Sequence, residues 1–254
     1  MRVEDFLKEN GPNTKCDAFV FSSPCQSFSG ANRDVDHNSE QDLYRKGLSL
    51  EFVPAMQILE AKIGVLENVE GIWRRPNVYF LKKICVELLR TGHHFRVRLF
   101  NARAFGDPQA RCRLCVFAAK RFVEIPTVLE THGPGLHPYV TVGTAFKVLE
   151  KTLEKVKRNP DMPPIPNMQG SHKFQPYDEK EILHLDQPAC TIRCGGRAWH
   201  PTKERAILVR EAAAIQSYPA NYEFLGSLSD QYKQVGNAVP GKMARAFARS
   251  LSES

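Results

Sequence analysis

Two side chains in the N-terminal half of the sequence have the chemistry of a nucleophile and an acidic partner. Cys25 follows the apolar run 18–21 and a short Ser-Ser-Pro segment, and Glu67 follows the apolar run 63–66. Such runs predict buried strands, so both side chains stand at the carboxyl end of a strand, where a ligand can reach them. A thiol beside a carboxyl group suits covalent catalysis. Either residue alone has a plainer explanation, a buried cysteine or a solvated carboxylate, so the interpretation depends on the neighbouring motifs.

A third polar segment, Gln-Ala-Arg-Cys-Arg, begins at Gln109. Side chains alternate between the two faces of a strand, so Gln109, Arg111 and Arg113 are predicted to share one face. Two guanidinium groups side by side suit a phosphate or a polar carbonyl group. An isolated Arg-x-Arg would instead favour a salt-bridged surface strand, so this segment gains meaning only from its position beside the other two.

The elements that must position these residues are predicted in a β-α-β order. Strands are predicted at 18–21, 63–66, 95–101 and 111–119, and helices at about 42–61 and 77–90. This order is typical of a parallel, doubly wound sheet, in which active sites form beyond the carboxyl ends of the strands. Because β-α-β units are right-handed, Cys25 and Glu67 are expected to converge on one crevice.

The second half of the sequence is less regular. Between about Phe122 and Arg205 proline is dense and periodic patterns are few, which predicts a smaller, loop-rich module with a Lys-rich helix near 146–157. Order returns with a helix at about 210–217 and a final helix opened by Pro240. The predicted organisation is a catalytic portion at 1–121, a small module at 122–204 and a C-terminal segment at 205–254 that returns to the catalytic portion.

The composition limits the class of partner and the compartment. A net charge of +7 and a pI near 9.0 favour a polyanionic partner such as nucleic acid. Seven cysteines at irregular spacing favour a reducing compartment over a disulfide framework. A zinc site would combine Cys112 and Cys115 with Cys190 and Cys194, but residues three apart on a strand face opposite sides, so we predict no metal site. No apolar stretch approaches the length of a membrane span.

Five segments, taken in order, resemble the motifs of the cytosine-5 DNA methyltransferase family. They are Pro24-Cys25-Gln26, Glu67-Asn68-Val69, Gln109-Ala-Arg-Cys-Arg113, the Arg205–Pro219 segment with its Arg-Glu and Gln-Ser-Tyr-Pro, and Gln234-Val-Gly-Asn-Ala-Val-Pro240. One tripeptide is weak evidence, whereas five in the family's order and near its spacing are strong. The resemblance covers the chain from about Asp17 to its end. It implies an α/β fold: a Rossmann-like S-adenosylmethionine-dependent methyltransferase sheet that lacks its first strands, with a small loop-rich recognition module at 122–204.

The resemblance also implies a mechanism for methyl transfer to DNA. Cys25 adds to C6 of cytosine, which breaks aromaticity and places electron density on C5. Glu67 hydrogen-bonds N3 and the exocyclic amine, Arg113 holds the base carbonyl, and Arg111 positions the base or a backbone phosphate. C5 takes the methyl group from S-adenosyl-L-methionine, the C5 proton leaves, and the thiol is eliminated. The base must first be flipped out of the duplex.

The remaining motif residues are assigned by the same resemblance to the substrate loop and the cofactor. The loop from Gln26 to Arg33, which includes Ser29, closes behind the flipped base, and Asn68 orients this loop. Gln109 is placed on the substrate side as well. The implied cofactor-binding residues are Pro24, Leu48, Asn237 and Ala238.

The sequence departs from the family pattern at its beginning. About sixteen residues precede the Cys25 strand, and they lack the Gly-rich turn that cradles the methionine part of the cofactor. Three explanations stay open: a truncated chain, one subunit of a split enzyme whose partner supplies the cofactor-binding strands, or a degenerate, non-catalytic DNA-binding paralogue. The intact Cys25, Glu67 and both arginines favour the first. The isolated chain is then expected to be inactive.

Substrate and compartment are further expectations from the resemblance. One branch of the family acts on transfer RNA, but its Cys-Phe-Thr segment is not found here, so DNA is the expected substrate. The expected compartment is the nucleus in a eukaryote, which the Ser-Ser-Pro-Cys-Gln loop and the unusual recognition region favour, and the cytoplasm in a prokaryote.

Overall fold

The computed structural model describes residues 5, 9, 14–29, 39–159, 161–170, 181–194 and 198–252. The described strands are Ala18–Ser22 (β1), Ile63–Asn68 (β2), His93–Asn101 (β3) and Cys112–Lys120 (β4). The described helices are Glu40–Gly47 (α1), Phe52–Ile58 (α2), Val78–Arg90 (α3), Val142–Arg158 (α4), Val209–Ile215 (α5), Leu228–Asn237 (α6) and Gly241–Ser252 (α7). Beyond Ser29, the loop predicted to close behind the base lies outside the described residues.

The sheet is mixed, with the strand order β1-β2-β4-β3. β1 runs parallel to β2, as predicted, but β4 runs antiparallel to β2, so the prediction of an all-parallel sheet is wrong. The reason lies in the short connection between β3 and β4, which holds one 3₁₀ turn at Ala102–Phe105 and then Gly106 in the left-handed region, with φ of 84°. A parallel crossover needs a dozen or more residues, usually a helix, so the chain reverses here.

Two helical segments differ from the sequence pattern. The predicted helix at 42–61 is divided into α1 and α2 by a 3₁₀ turn at Leu48–Glu51. Pro54 lies in the first turn of α2, where its missing N–H is tolerated but a continuous helix from α1 is not. Helix α6 was missed, because the Gly236-Asn237 pair predicts a turn. Ser227 nevertheless starts this helix by accepting the backbone N–H of Asp230.

The chain forms two compact units that divide it differently from the predicted boundaries. The first comprises residues 1–100, 112–127 and 250–254, and the second comprises 101–111 and 128–249. The C-terminal segment therefore stays with the middle of the chain as far as residue 249. None of the described helices is long and apolar enough to cross a membrane.

The core of the first unit fixes the strand that carries Glu67. All six residues of β2 are buried. Gly64 in this strand lets α2 approach closely, since a β-carbon there would lie 2.3 Å from the sulfur of Met56 and 3.0 Å from the ring of Phe52. Helix α3 adds a stripe of Leu81, Ile84 and Leu88 at helical spacing. β2 is thus a rigid platform for the side chain at its end.

The second unit has a core built from its helices. Helix α4 begins at Val142 because Thr141 accepts the N–H of Thr144, and it contributes Phe146 to this core. Helix α5 is buried along most of its length. Helix α6 and residues of the segment before α5 complete the core, with Leu183, Ala189, Ile192, Ala198, Tyr232 and Val235.

Candidate active site

Glu67 is held at the carboxyl end of β2 by partners on both neighbouring strands. Its Oε1 accepts the Nε of Arg113 at 2.7 Å, and its Oε2 accepts the hydroxyl of Ser22 at 2.9 Å. Glu67 is 8% exposed and Arg113 is 6% exposed, so this is a buried ion pair that still reaches the surface. A buried carboxylate with both oxygens hydrogen-bonded has a fixed plane, which suits recognition of a polar base edge.

Asn68, the next residue, joins β2 to the loop that carries Cys25. Its Nδ2 donates to the hydroxyl and the carbonyl oxygen of Ser23, at 2.9 and 3.3 Å, and its Oδ1 accepts the N–H of Val69. Asn68 is fully buried. Ser23 lies two residues before Cys25, so the amide ties the start of the nucleophile loop to the strand end that carries Glu67.

Cys25 is half-buried at the start of a 3₁₀ turn, Gln26–Phe28. Gly71 permits a second 3₁₀ turn, Glu70–Trp73, to pack onto it, since a β-carbon at Gly71 would lie 1.8 Å from the carbonyl oxygen of Phe28. No sequence motif singled out this glycine. Its role is to let two backbone segments touch, and only the fold shows that contact.

A cavity of about 370 Å³ opens beside this contact. Ser27 to Ser29 of the nucleophile loop form one wall, and Arg74, Arg75 and Asn77 lie on the other side. Arg74 pairs with Glu70, and the amide of Asn77 donates to the carbonyl of Gly71. The cavity therefore combines hydroxyl and guanidinium groups next to the candidate nucleophile.

A second thiol lies across the sheet from Glu67. Cys115 on β4 is the register partner of Glu67 and is completely buried. Burial, and secondly the charge of Glu67, raise the pKa of the Cys115 thiol far above its usual range. Cys115 is therefore an inert packing residue.

Arg111 and Gln109 lie in the second unit and differ from the prediction. β4 begins at Cys112, so the three polar side chains do not form one strand face. Arg111 is buried and donates to the carbonyl oxygens of Ile192 and Gly236, at 3.0 and 2.7 Å. The two guanidinium groups have different partners: Arg113 pairs with Glu67, whereas Arg111 holds two backbone segments.

Gln109 extends this polar network of the second unit. Its Nε2 donates to Oε1 of Gln216 at 3.0 Å, and its Oε1 accepts the N–H of Ile192. Gln216 in turn donates to the carbonyl of Val235 at 2.8 Å. Gln109 and Gln216 are both fully buried. Together with Arg111 they fix the segment around Ile192 and the end of helix α6, which is a positioning task.

The residues predicted to bind the cofactor are divided between the units. In the first unit Pro24 is exposed and Leu48 is half-buried at the start of a 3₁₀ turn. In the second unit Asn237 is the exposed last residue of α6, its Oδ1 accepts the Cys194 thiol at 2.8 Å, and Ala238 follows it half-buried. The Asn237 amide in the second unit can hydrogen-bond an adenosyl cofactor, and Pro24 and Leu48 in the first unit are apolar residues of the kind that line such sites.

Two further carboxylates serve the fold. Glu211 accepts both ends of the Arg205 guanidinium, at 2.7 and 2.8 Å, and the N–H of Leu208, which begins helix α5. Asp107 was not anticipated from the sequence. Its two carboxylate oxygens accept the N–H groups of Lys242 and Met243, so it caps helix α7 from 135 residues away.

Comparison with known proteins identifies the family of the chain. The chain is 30% identical over 98% of its length to the type II methyltransferase M.NgoFVII of Neisseria gonorrhoeae, covering 74% of that protein. It is also 30% identical to M1.HphI of Haemophilus parahaemolyticus, covering 98% of this chain and 71% of that one. The crystal structure of the S. pombe Dnmt2 methyltransferase shares the fold, with a TM-score of 0.61 at 16% identity over 100% of this chain and 82% of that chain. A family model matches residues 3–155 and 145–253, and the chain belongs to the C-5 cytosine-specific DNA methylase family.

Proposed function

We propose that this DNA (cytosine-5) methyltransferase acts through a covalent bond between Cys25 and the target base. One observation carries the proposal. The Glu67 carboxylate is held by Arg113 and Ser22 at the end of β2, and Asn68 ties the same strand end to the loop that begins at Cys25. A thiol and a fixed carboxylate on adjacent strand ends are what nucleophilic attack on a pyrimidine requires.

The chain's own residues divide the chemistry between them. The Cys25 thiolate adds to C6 of cytosine. A proton shared between Glu67 and N3 makes the hydrogen bond to N3, and the other carboxyl oxygen accepts the exocyclic amine, so that the negative charge developing on the ring is neutralised. Arg113 uses its Nε on Glu67 and its Nη1 on the carbonyl of Cys112, so we assign its Nη2 edge to the base carbonyl. A base that has lost aromaticity at C6 can accept a methyl group at C5, lose the C5 proton and release the thiol.

The target base has to leave the duplex before Cys25 can reach it, because C5 and C6 are stacked inside DNA. Flipping costs a few kcal/mol, roughly, which contacts to the backbone must offset. Arg74 and Arg75 line the cavity beside the nucleophile loop, and the chain carries a net charge of +7. These groups support a phosphate-contacting surface next to the flipped base.

We propose S-adenosyl-L-methionine as the cofactor, which supplies an electrophilic methyl group when bound. The family resemblance assigns its binding to Pro24, Leu48, Asn237 and Ala238. A separate subunit or N-terminal segment could supply further cofactor-binding strands at β1, which within the described part of the chain has a neighbouring strand on one side only. Calorimetric titration of the chain with the cofactor tests this: sub-micromolar binding by the chain alone would make the added strands unnecessary.

Two other activities are outcomes of the same assays. Methyl transfer to transfer RNA, or DNA binding without chemistry, would each preserve the fold described here. The compartment also stays a prediction, nuclear in a eukaryote and cytoplasmic in a prokaryote.

The decisive experiment pairs Cys25→Ala with Cys190→Ala, which removes an exposed cysteine outside the candidate site. Incorporation of labelled methyl groups into duplex DNA and into transfer RNA is measured for both variants and the parent chain. Each is assayed alone and together with an added segment or subunit that supplies the cofactor-binding strands, because the isolated chain is expected to be inactive. We expect Cys25→Ala to lower transfer to DNA by about 10⁴-fold or more, as loss of a nucleophile does, and Cys190→Ala to leave it unchanged. DNA carrying 5-fluorocytosine should form a denaturation-resistant adduct with the parent chain only.

The opposing results are equally clear. Methyl transfer by Cys25→Ala at the parental rate would reject the covalent mechanism. Transfer to transfer RNA alone would select the second activity. Binding to duplex DNA without transfer or adduct, even with cofactor supplied, would select the non-catalytic alternative.

A further inference from the structure

Ser22 is the last residue of β1 and is not part of any motif that identified the site. It is an exposed residue, yet its hydroxyl donates to Oε2 of Glu67 at 2.9 Å. The contact joins residues 45 positions apart in the chain. An exposed hydroxyl could hydrogen-bond water at no cost, so its bond to a nearly buried carboxylate is a specific contact.

The register of the sheet produces this contact. Ser22 and Glu67 are paired across the parallel strands β1 and β2, and Glu67 and Cys115 are paired across β2 and β4. The three side chains therefore stand in a row on one face of the sheet. Cys115 offers only a buried thiol, so on this face the polar partner of Glu67 from β1 is Ser22, and the one from β4 is Arg113.

The two partners act on different oxygens of Glu67. Arg113 takes Oε1 and Ser22 takes Oε2. A carboxyl group anchored through one oxygen can still turn about its last torsion angle, which is broad for glutamate. Anchoring the second oxygen removes that freedom, and a fixed plane is what simultaneous contact with N3 and the exocyclic amine of cytosine needs.

We propose that Ser22 is a positioning residue for the catalytic carboxyl group. It acts through Glu67, without touching the base, by holding Oε2 while Arg113 holds Oε1. This inference rests on the proposed function, since it assigns Glu67 to the edge of the target base. The proposal gives a role to Ser22, which lies before the Pro24-Cys25-Gln26 motif. Its exposed position at the end of a strand does not by itself indicate a function.

The test compares Ser22→Ala with Ser22→Thr, which keeps the hydroxyl, and with Ser229→Ala, which removes an exposed hydroxyl from helix α6. We expect Ser22→Ala to lower kcat about tenfold or more, the value of a hydrogen bond to a charged group. The KM for cofactor should stay unchanged. The melting temperature should fall by about a few degrees, because Oε2 loses a donor while Oε1 keeps Arg113, so kcat is compared at a temperature at which every variant is folded. Ser22→Thr should restore most of kcat, and Ser229→Ala should match the parent chain.

A second measurement does not depend on turnover. With ¹³C-labelled glutamate, the carboxyl carbon signal of Glu67, assigned by its loss in Glu67→Gln, should move in Ser22→Ala and return in Ser22→Thr. An unmoved signal together with parental kcat overturns the proposal. A rise in KM for cofactor with kcat unchanged also overturns it, because Ser22 would then be a cofactor contact. If the parent chain transfers no methyl group, the proposed function fails, while the carbon signal still reports whether Ser22 holds Glu67.

Discussion

The polar residues at the end of β2 and those around Arg111 are equally buried but have different partners. In the first unit the carboxylate of Glu67 accepts from the side chains of Arg113 and Ser22, and the residue keeps 8% of its surface exposed. In the second unit Arg111 and Gln109 bond largely to backbone groups and to another buried amide. The Glu67 carboxylate can therefore still accept a hydrogen bond from a ligand at the surface. The polar groups of Arg111 and Gln109 named here are bonded to other groups inside the fold.

The comparison shows that the two arginines of one short motif have different roles. Arg113 orients a side chain that can meet a substrate. Arg111 connects Ile192 to Gly236, the residue before Asn237, and so sets the position of a candidate cofactor contact without offering itself to a ligand. Substitution of Arg113 should therefore lower kcat, whereas substitution of Arg111 should mainly lower the free energy of unfolding.

The largest effect is expected at the two arginines. Arg113→Met leaves the buried Glu67 without its cation, which costs about 3–5 kcal/mol of unfolding free energy. It should also lower kcat about 10²-fold or more beyond what the folded fraction explains. Arg111→Met should cost a similar free energy, because two buried carbonyls lose a charged donor. Its kcat, corrected for the folded fraction, should stay within tenfold of the parent value, with a raised KM for cofactor.

Urea unfolding and kcat at saturating substrate, measured below the midpoint of each variant, make this comparison. Equal corrected losses of kcat for the two variants would show that Arg111 also touches the reacting base. A parental kcat in Arg113→Met would remove Glu67 positioning from the mechanism.

The next effect concerns the contact between the two 3₁₀ turns of the first unit. Gly71→Ala places a β-carbon against the carbonyl oxygen of Phe28, so either the backbone of the nucleophile loop moves or the turn does. Overpacking of this kind costs about 1–3 kcal/mol. Because Phe28 is three residues from Cys25, we expect adduct formation with 5-fluorocytosine DNA to fall more than stability does.

Gly47→Ala is the matched control for that substitution. Gly47 ends helix α1 with φ of −58°, and a β-carbon there meets nothing within 4 Å. Alanine should stabilise the chain by about 0.4–1 kcal/mol and leave adduct formation unchanged. A loss of adduct in Gly47→Ala equal to that in Gly71→Ala would mean that the close contact is not the cause.

Local signals in the sequence were sufficient for the strand ends and the motifs on them. An apolar run followed by Ser-Ser-Pro-Cys or Glu-Asn predicts a buried strand with polar residues at its tip, and β1 and β2 are found there. Burial is confirmed for β2 only, because each residue of β1 is half-buried or exposed. The fold class and the family followed from the order of such segments. Strand ends and motifs depend on residues that are close together in the sequence, so they can be recognised without the structure.

The partners of buried polar groups could not be predicted, because they lie far away in the sequence. Arg111 bonds to residues 81 and 125 positions away, and side-chain alternation along the strand gives no information about these partners. The antiparallel β4 depends on a short connection whose turn geometry has no clear pattern. Gln216 lay in a recognised motif, but nothing in the motif shows that it pairs with Gln109.

The amide pair in the second unit allows a smaller, more exact test. Gln109 and Gln216 share one hydrogen bond in a fully buried place. Gln216→Leu leaves the Nε2 donor of Gln109 without its acceptor, so we expect the free energy of unfolding to fall by about 1–3 kcal/mol. A double-mutant cycle with Gln109→Leu measures the coupling by urea unfolding. Additive losses would show that the two amides act independently.

The smallest effect is a dependence of stability on pH that should reach both units. Burial lowers the pKa of His93 in the first unit, with the charges of Lys120 and His94 adding to it. Burial also lowers the pKa of His200 in the second, against a weaker opposite effect of Glu211. The unfolded chain takes up these protons near pH 6.5, roughly, whereas the folded chain resists them.

Stability should therefore be constant above that pH and fall as the pH drops through the lower folded values. His200→Gln removes one proton site and keeps an acceptor for the N–H of Thr202, which bonds to Nδ1 of His200 at 3.1 Å. Urea unfolding at pH 7.5, 6.5 and 5.5 should give a smaller acid loss in His200→Gln than in the parent chain. The remaining loss is then shared by His93 and His132, since burial lowers the pKa of His132 as well. An unchanged loss in His200→Gln would show that His200 does not contribute.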